Sequence, residues 1–148
     1  MFDLYGLPTD FPQHAEASQV VDPYERVEML EQALAEDIGD SRFIPYIQLH
    51  EFEALIFTDP AKLLDEYLDY EKAIQTLISL GEKNEPERIN DDPNSAPSKR
   101  ILAQVPIYRK AIGGVNIVRE IGLPTLCERC PHFHKWISQL ENLVIQET

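Results

Sequence analysis

The sequence predicts an α/β chain: a parallel sheet with few strands, incomplete as it stands, followed by a helical C-terminal half. Three observations carry this. The opening "MFDLYGLPTDFP" and the later "RFIPYIQLH" each read as a short apolar strand followed by a break. A single amphipathic helix with clear caps lies between them, which makes a strand–helix–strand unit of the parallel kind. After Phe57 the patterning is helical almost to the end.

Each element has its own signal. The first strand alternates apolar and polar residues and stops at Gly6 and Pro8. In "DPYERVEMLEQALAEDIG", Asp22 is the expected N-cap, Pro23 sits at the first helical position and Glu25 at the third. Val27, Leu30, Leu34 and Ile38 form the expected apolar stripe, with Gly39 as the stop. The second strand is apolar almost throughout, as expected of a parallel strand covered on both faces. "DPAKLLDEYL" and "EKAIQTLISLG" read as capped helices, and "GEKNEPERINDDPNSAPSKR" as a polar loop that ends at a helix start. Two further helical stretches, "YRKAIGGVNIVREIG" and "CPHFHKWISQLENL", complete the chain, the latter with Phe133, Trp136, Ile137 and Leu140 inward. The expected organisation is one domain over 1–148: a strand–helix–strand core at 1–57 and a mainly helical part at 58–148. Two strands are a thin core for so many helices. The expectation is a fragment, or a sheet completed by a partner.

Composition narrows the function classes. A net charge of −13 argues against a protein that coats nucleic acid through general basicity. The charge is uneven: residues 1–82 hold 4 basic and 18 acidic side chains, residues 83–148 hold 9 and 8. A polyanion would therefore face the later cations, with acidic residues opposite it bridged by metal. No window approaches roughly 18 consecutive apolar residues, so no membrane span is expected. No signal peptide is visible, and the default compartment is the cytoplasm.

The chemistry-bearing stretch is "IPYIQLHEFEALIF", which sets His50, Glu51 and Glu53 at the end of a buried strand. Unpaired buried charges cost several kcal/mol, so these residues need a partner, an opening or a function. Two residues apart in a strand, the glutamates share one face. Ligands bind open α/β sheets at the carboxyl ends of the strands. There Asp3 of the first strand, with Asp10 in the loop beyond, would join them in an oxygen-only site suited to Mg²⁺ or Mn²⁺. Such a site can activate water for phosphoryl displacement. The structural alternative is that Glu51 caps the following helix and Glu53 is solvated. His50 would be a water-orienting base or a hydrogen-bonded filler.

Two other clusters stand out. Ser98, Lys99 and Arg100 at a helix start offer a hydroxyl, amides and two cations to a phosphate; the alternative is a cap at Asn94 or Ser95 and solvated cations. Cys127, Cys130, His132 and His134 spell C-x-x-C-x-H-x-H, tighter than zinc sites usually space their pairs. A reduced, zinc-free, partly buried cysteine pair is expected.

"FDLYGLPTDFP", "RFIPYIQLHEFEALIF", "INDDPNSAPSKRIL" and "CPHFHKWISQLE" resemble, in order, successive blocks of the bacterial domain-of-unknown-function family 4276. That family is similar to Toprim-like proteins, the metal-dependent fold of topoisomerases, primases and overcoming-lysogenization-defect nucleases. "HEFEALIF" resembles the E-x-E-N-Y-L block of the nuclease branch, which implies Glu51 and Glu53 as catalytic carboxylates. Asp3 resembles the first acid of the Toprim Asp-x-Asp motif, where the second position is Tyr5 here. Family members carry an upstream strand with a V-E-G-x-T-E-like motif, so the resemblance implies a C-terminal portion, weak or inactive alone. It further implies an Mg²⁺- or Mn²⁺-dependent nuclease or nuclease-derived subunit acting on nucleic acid. Phage or mobile-element defence with an ABC- or SMC-type ATPase, and homo-oligomers, are implied with it. The alternative is a non-catalytic interaction module with a vestigial acidic site, bound to such an ATPase.

Overall fold

A computed structural model describes residues 2–89 and 95–146, with side chains to residue 143. The candidate cap Asn94 and the opening Met1 lie outside the described residues. Strands β1 (Phe2–Asp3) and β2 (Ile47–Gln48) pair in parallel, Phe2 against Ile47 and Asp3 against Gln48. The helices are α1 (His14–Ala17), α2 (Pro23–Ile38), α3 (Glu71–Lys83), α4 (Pro97–Gln104), α5 (Val115–Ile121), α6 (Leu123–Arg129) and α7 (Pro131–Gln146). The chain is thus mostly helical around a small parallel sheet.

Both strands are shorter than their patterns suggest. β1 turns into a 3-10 helix at Leu4–Gly6, so β2 finds a partner for only two residues. The rest of the expected second strand stays outside the ladder, and Pro45 has no N–H to offer one. Burial along this segment nevertheless matches a strand covered on both faces, since Tyr46, Ile47, Gln48, Leu49 and His50 are all buried. Alternation divides it between two cores. Ile47 and Leu49 pack with Val27, Leu30 and Ala17 on the α1–α2 side, while Tyr46 joins the larger helical core. Each such buried aliphatic contributes about 1.5–3 kcal/mol.

Helix α2 begins as expected: Asp22 accepts hydrogen bonds from the amides of Tyr24 and Glu25, and Pro23 opens the first turn. Gly39 ends it at φ 65°, a left-handed conformation that glycine adopts freely. The expected stripe drifts toward its end. Val27 and Leu30 are buried, but Ala33 takes the next inward place, Leu34 is half-buried and Ile38 is 46% exposed.

Segment 52–58 is the hub of the molecule. It forms a 3-10 helix, Phe52–Thr58, and α3, α4, α5 and α6 pack around it. Its last carbonyls have no helical acceptor role to fill; Arg129 donates to Phe57 O (3.5 Å) and Thr58 O (2.8 Å), and to Gly81 O (2.7 Å) at the end of α3. The helix expected from "DPAKLLDEYL" is instead two 3-10 turns, Pro60–Asp65 and Leu68–Tyr70. Asp59 makes no side-chain cap there, so the start signal on which an α-helix depends is missing. In "YRKAIGGVNIVREIG" a π-helical turn, Lys110–Gly114, precedes α5. Helices α1 and α6 were not apparent in the sequence pattern.

Candidate functional site

His50 sets the site's geometry. Its φ of 63° places a non-glycine residue in the left-handed region, which turns the chain sharply from β2 into the 52–58 hub. Such a conformation costs on the order of 1–2 kcal/mol and persists only when the surroundings hold it. They do. The Nε2 atom lies 3.0 Å from the Glu87 carbonyl, which can only accept, so Nε2 carries the proton. In the neutral ring Nδ1 then accepts from the Tyr5 hydroxyl at 3.0 Å. The His50 side chain is 1% exposed. These contacts make it a hydrogen-bonded anchor for the turn, and they explain the tyrosine at position 5.

Beyond the turn, Glu51 is extended and Glu53 enters the first turn of the hub helix. Glu53 is buried at 4% exposure, not solvated, and its Oε1 faces the Tyr108 hydroxyl at 3.5 Å. Glu51 caps a helix, though not the one that follows it. Its Oε1 accepts the Ser98 amide at the start of α4, and its Oε2 lies 3.3 Å from the Lys110 ammonium. A carboxylate at the N-terminus of α4 is favourable for the helix dipole as well. Asp3 stands at the end of β1, where the Phe52 amide acts to lower its pKa. Asp3 ends β1 and Glu51 and Glu53 follow β2, so the acids lie at the carboxyl ends of the two strands, the position expected for a ligand site in a parallel sheet.

Their electrostatics are coupled. Burial raises the Asp3 carboxyl above its ordinary range and the Glu51 charge adds to this, against the Phe52 amide and Lys110. Burial likewise raises Glu53, opposed by Lys110 and reinforced by the charges of Glu51 and Asp3. Lys110 pairs with Glu51, and its charge also acts on Asp3 and Glu53. It is the residue that sequence reasoning missed, along with Tyr108; both lie more than fifty residues from the acids they contact, and no spacing signal connects them.

All three groups are carboxylates, the donor type of a hard divalent cation, but they are not gathered as metal ligands here. The cation seen at this corner is Lys110, paired with Glu51. Among the described residues, no three His, Cys, Asp or Glu side chains form a metal-holding group. Asp10 is exposed in its turn.

Ser98, Lys99 and Arg100 begin α4 beside this corner. Ser98 is 2% exposed and its amide is committed to Glu51; Arg100 Nε donates to Ser95 O at 2.9 Å; Lys99 is exposed to solvent. The Cys127–His134 cluster is divided among other partners. Cys130 packs its sulfur 3.4 Å from the Thr58 hydroxyl, and burial pushes its thiol up to about 12. Both cysteines are free thiols. His132 Nε2 lies 2.9 Å from Glu31, and Glu87, which is fully buried, caps α7 through the amides of His132 and Phe133.

Fold and site together define a small parallel α/β unit with an acidic corner at its strand ends and a helical mantle. The family described as "Domain of unknown function (DUF4276)" matches residues 1–141, and the chain belongs to it. No curated protein and no solved structure matches the chain. No helix among the described residues is long and apolar enough to cross a membrane.

Proposed function

We propose that this protein is a Toprim-like, nuclease-derived subunit that acts on nucleic acid, with Asp3, Glu51 and Glu53 as its metal-binding acidic corner. The observation that supports this reading best is the placement of three electrostatically coupled carboxylates, from two parts of the chain, at the carboxyl ends of two parallel strands. Mg²⁺ or Mn²⁺ held there would activate water and stabilise charge on a phosphodiester. Asp3 and Glu53 are partly desolvated and repel one another and Glu51, which favours an added cation over further anions. His50 has both ring nitrogens engaged and serves as the positioning residue for the turn. Lys99 and Arg100, near the acids on α4, are the cations on this side that a phosphate backbone would meet. The remaining parts of the reading are an ABC- or SMC-type ATPase partner, self-association, and a role in defence against phage or mobile elements.

A second reading has its own support. Lys110 paired to Glu51, and Glu51 capping α4, describe a corner satisfied without metal, as expected of a non-catalytic module that binds an ATPase. Cleavage separates the two. Purified protein is incubated with labelled single- and double-stranded DNA and RNA in Mn²⁺ or Mg²⁺, beside Glu53→Gln. The nuclease reading expects slow, metal-dependent cleavage that Glu53→Gln abolishes. Equal cleavage by both proteins contradicts the site assignment, and none by either favours the second reading.

A further inference from the structure

The segment "EYLDYE", residues 66–71, folds into an acidic knob with a leucine at its tip. Its Leu68–Tyr70 turn is 3-10, which repeats every three residues, so Tyr67 and Tyr70 share one face. That face points inward. Tyr67 is buried, Tyr70 packs against the larger core, and the Tyr67 hydroxyl accepts from the Arg109 amide at 3.4 Å. Leu68 is thereby turned outward and is 76% exposed. Glu66, Asp69 and Glu71 flank it, all exposed, and none of them is in an ion pair with a described residue.

A groove of the opposite character lies between α3 and α4, which pack side by side and leave about 410 Å³ between them. Leu77, Leu80 and Lys83, at successive three-residue steps, form its α3 wall, and Arg100 and Ala103 stand on its α4 wall. The groove thus has an aliphatic base and one cation from each helix. Among the described residues that line it, none is acidic and none is aromatic. Neither Lys83 nor Arg100 is in an ion pair with a described residue, although the chain carries a net charge of −13.

Knob and groove are complementary in shape and in charge. They cannot meet within one chain. From Glu71 to Leu80, α3 rises about 14 Å, and this helix holds the knob away from the groove. We infer that the Leu68 knob of one copy docks in the α3–α4 groove of a second copy. Leu68 then packs on Leu80 and Ala103, and its flanking carboxylates face Lys83 and Arg100. The contact joins two different surfaces, so it is heterologous. It is also small, which makes the association weak and concentration-dependent. A nucleic-acid strand is a poorer occupant, because strand-binding grooves supply aromatic stacking platforms and this one has none. The inference gives the self-association in the proposed reading a specific mode and does not depend on the chemistry of the acidic corner.

The test is sedimentation equilibrium of the purified protein in EDTA, from about 10 μM to about 1 mM, the range of weak contacts. The average mass of the wild type should rise with concentration above that of one chain. Leu68→Ser in the knob, and Ala103→Glu or Lys83→Glu in the groove, should each weaken association about tenfold. Arg119→Glu, an exposed charge reversal outside both features, should leave it unchanged. Leu68→Ser keeps an intact groove and Ala103→Glu an intact knob, so an equimolar mixture of the two should recover a two-chain species. Matching circular dichroism spectra show that the variants are folded, and Lys83→Glu stands in for Ala103→Glu if that variant is not. A wild type that stays monomeric throughout overturns the inference, as does association that the knob and groove variants leave intact. Loss of association in both variants without recovery in their mixture overturns the knob-in-groove pairing. Because metal is absent throughout, each of these failures leaves the reading of the acidic corner in place.

Discussion

Glu53 is the residue at which burial and chemistry compete most directly. It is 4% exposed, its hydrogen bond from Tyr108 is long, and two other carboxylates act on it. Its folded pKa is raised, chiefly by burial, so the folded state holds its proton more tightly than the unfolded chain does. The sign follows. Its contribution to stability is fully present below the ordinary value of 4.5 and is lost as pH rises through the higher folded value. At neutral pH the ionised carboxylate therefore weakens the fold. Glu53→Gln should raise the melting temperature of the metal-free protein by about 3 °C at pH 7.5, as expected for roughly 1 kcal/mol in a domain of this size. The gain should disappear near pH 4, and thermal unfolding followed by circular dichroism across this range checks it. A lower melting temperature at neutral pH would mean that Glu53 has a stabilising partner beyond those seen here. The pairing of Glu51 with Glu53 was legible in the sequence because charges at the end of an apolar strand demand an explanation. Their partners were not. Glu51 caps a helix 47 residues away, and Lys110 arrives from 59 residues away, contacts created only by the folded chain.

At the scale of elements, the first half is joined to the second by a buried polar clasp. Glu31 on α2 accepts from the Ile47 amide at 2.7 Å and faces His132 Nε2 on α7 at 2.9 Å. One residue thus fixes β2 against both helices. Burial works to lower the pKa of His132, but the hydrogen bond and charge of Glu31, with the charge of Glu87, outweigh it and raise the value. The clasp is therefore at full strength below the ordinary histidine value of 6.5 and fades as pH rises through the higher folded value. Glu31→Gln should lower stability by about 1.5–3 kcal/mol at pH 6, the usual range for a charged hydrogen bond, and by less at pH 9. Urea unfolding at the two pH values measures the difference, and an equal loss at both would show that His132 is not charged in the fold. The elements themselves were unevenly legible. Helix α2 declared its caps in Asp22, Pro23 and Gly39, and all three act as the local chemistry demands. The strands and the Pro60 turns are shorter than their patterns suggest, because a ladder runs only as far as its partner and a cap counts only when its side chain reaches an amide. Glu87 falls in a stretch that reads as a polar loop; only the fold reveals that it is buried, together with His132.

At the scale of the whole molecule, the larger cluster of apolar side chains lies in the helical half, while the acidic corner lies where that half meets the two-stranded sheet. Arg129 ties the hub to α3, and the π-helical turn ties the hub to Lys110, so the corner is braced from several sides. The parallel pairing and the mostly helical second half were readable from periodicity; the central role of 52–58 was not, since a continuous apolar run does not distinguish a strand from a buried helix. The most direct test of the central claim is the anomalous diffraction of Mn²⁺ in crystals of the metal-loaded protein. The account predicts a peak within coordination distance, roughly 2.0–2.3 Å, of oxygens from Asp3, Glu51 and Glu53, with the Lys110 ammonium withdrawn from Glu51. A peak elsewhere, or an empty corner with the Lys110–Glu51 pair intact at saturating Mn²⁺, would contradict it.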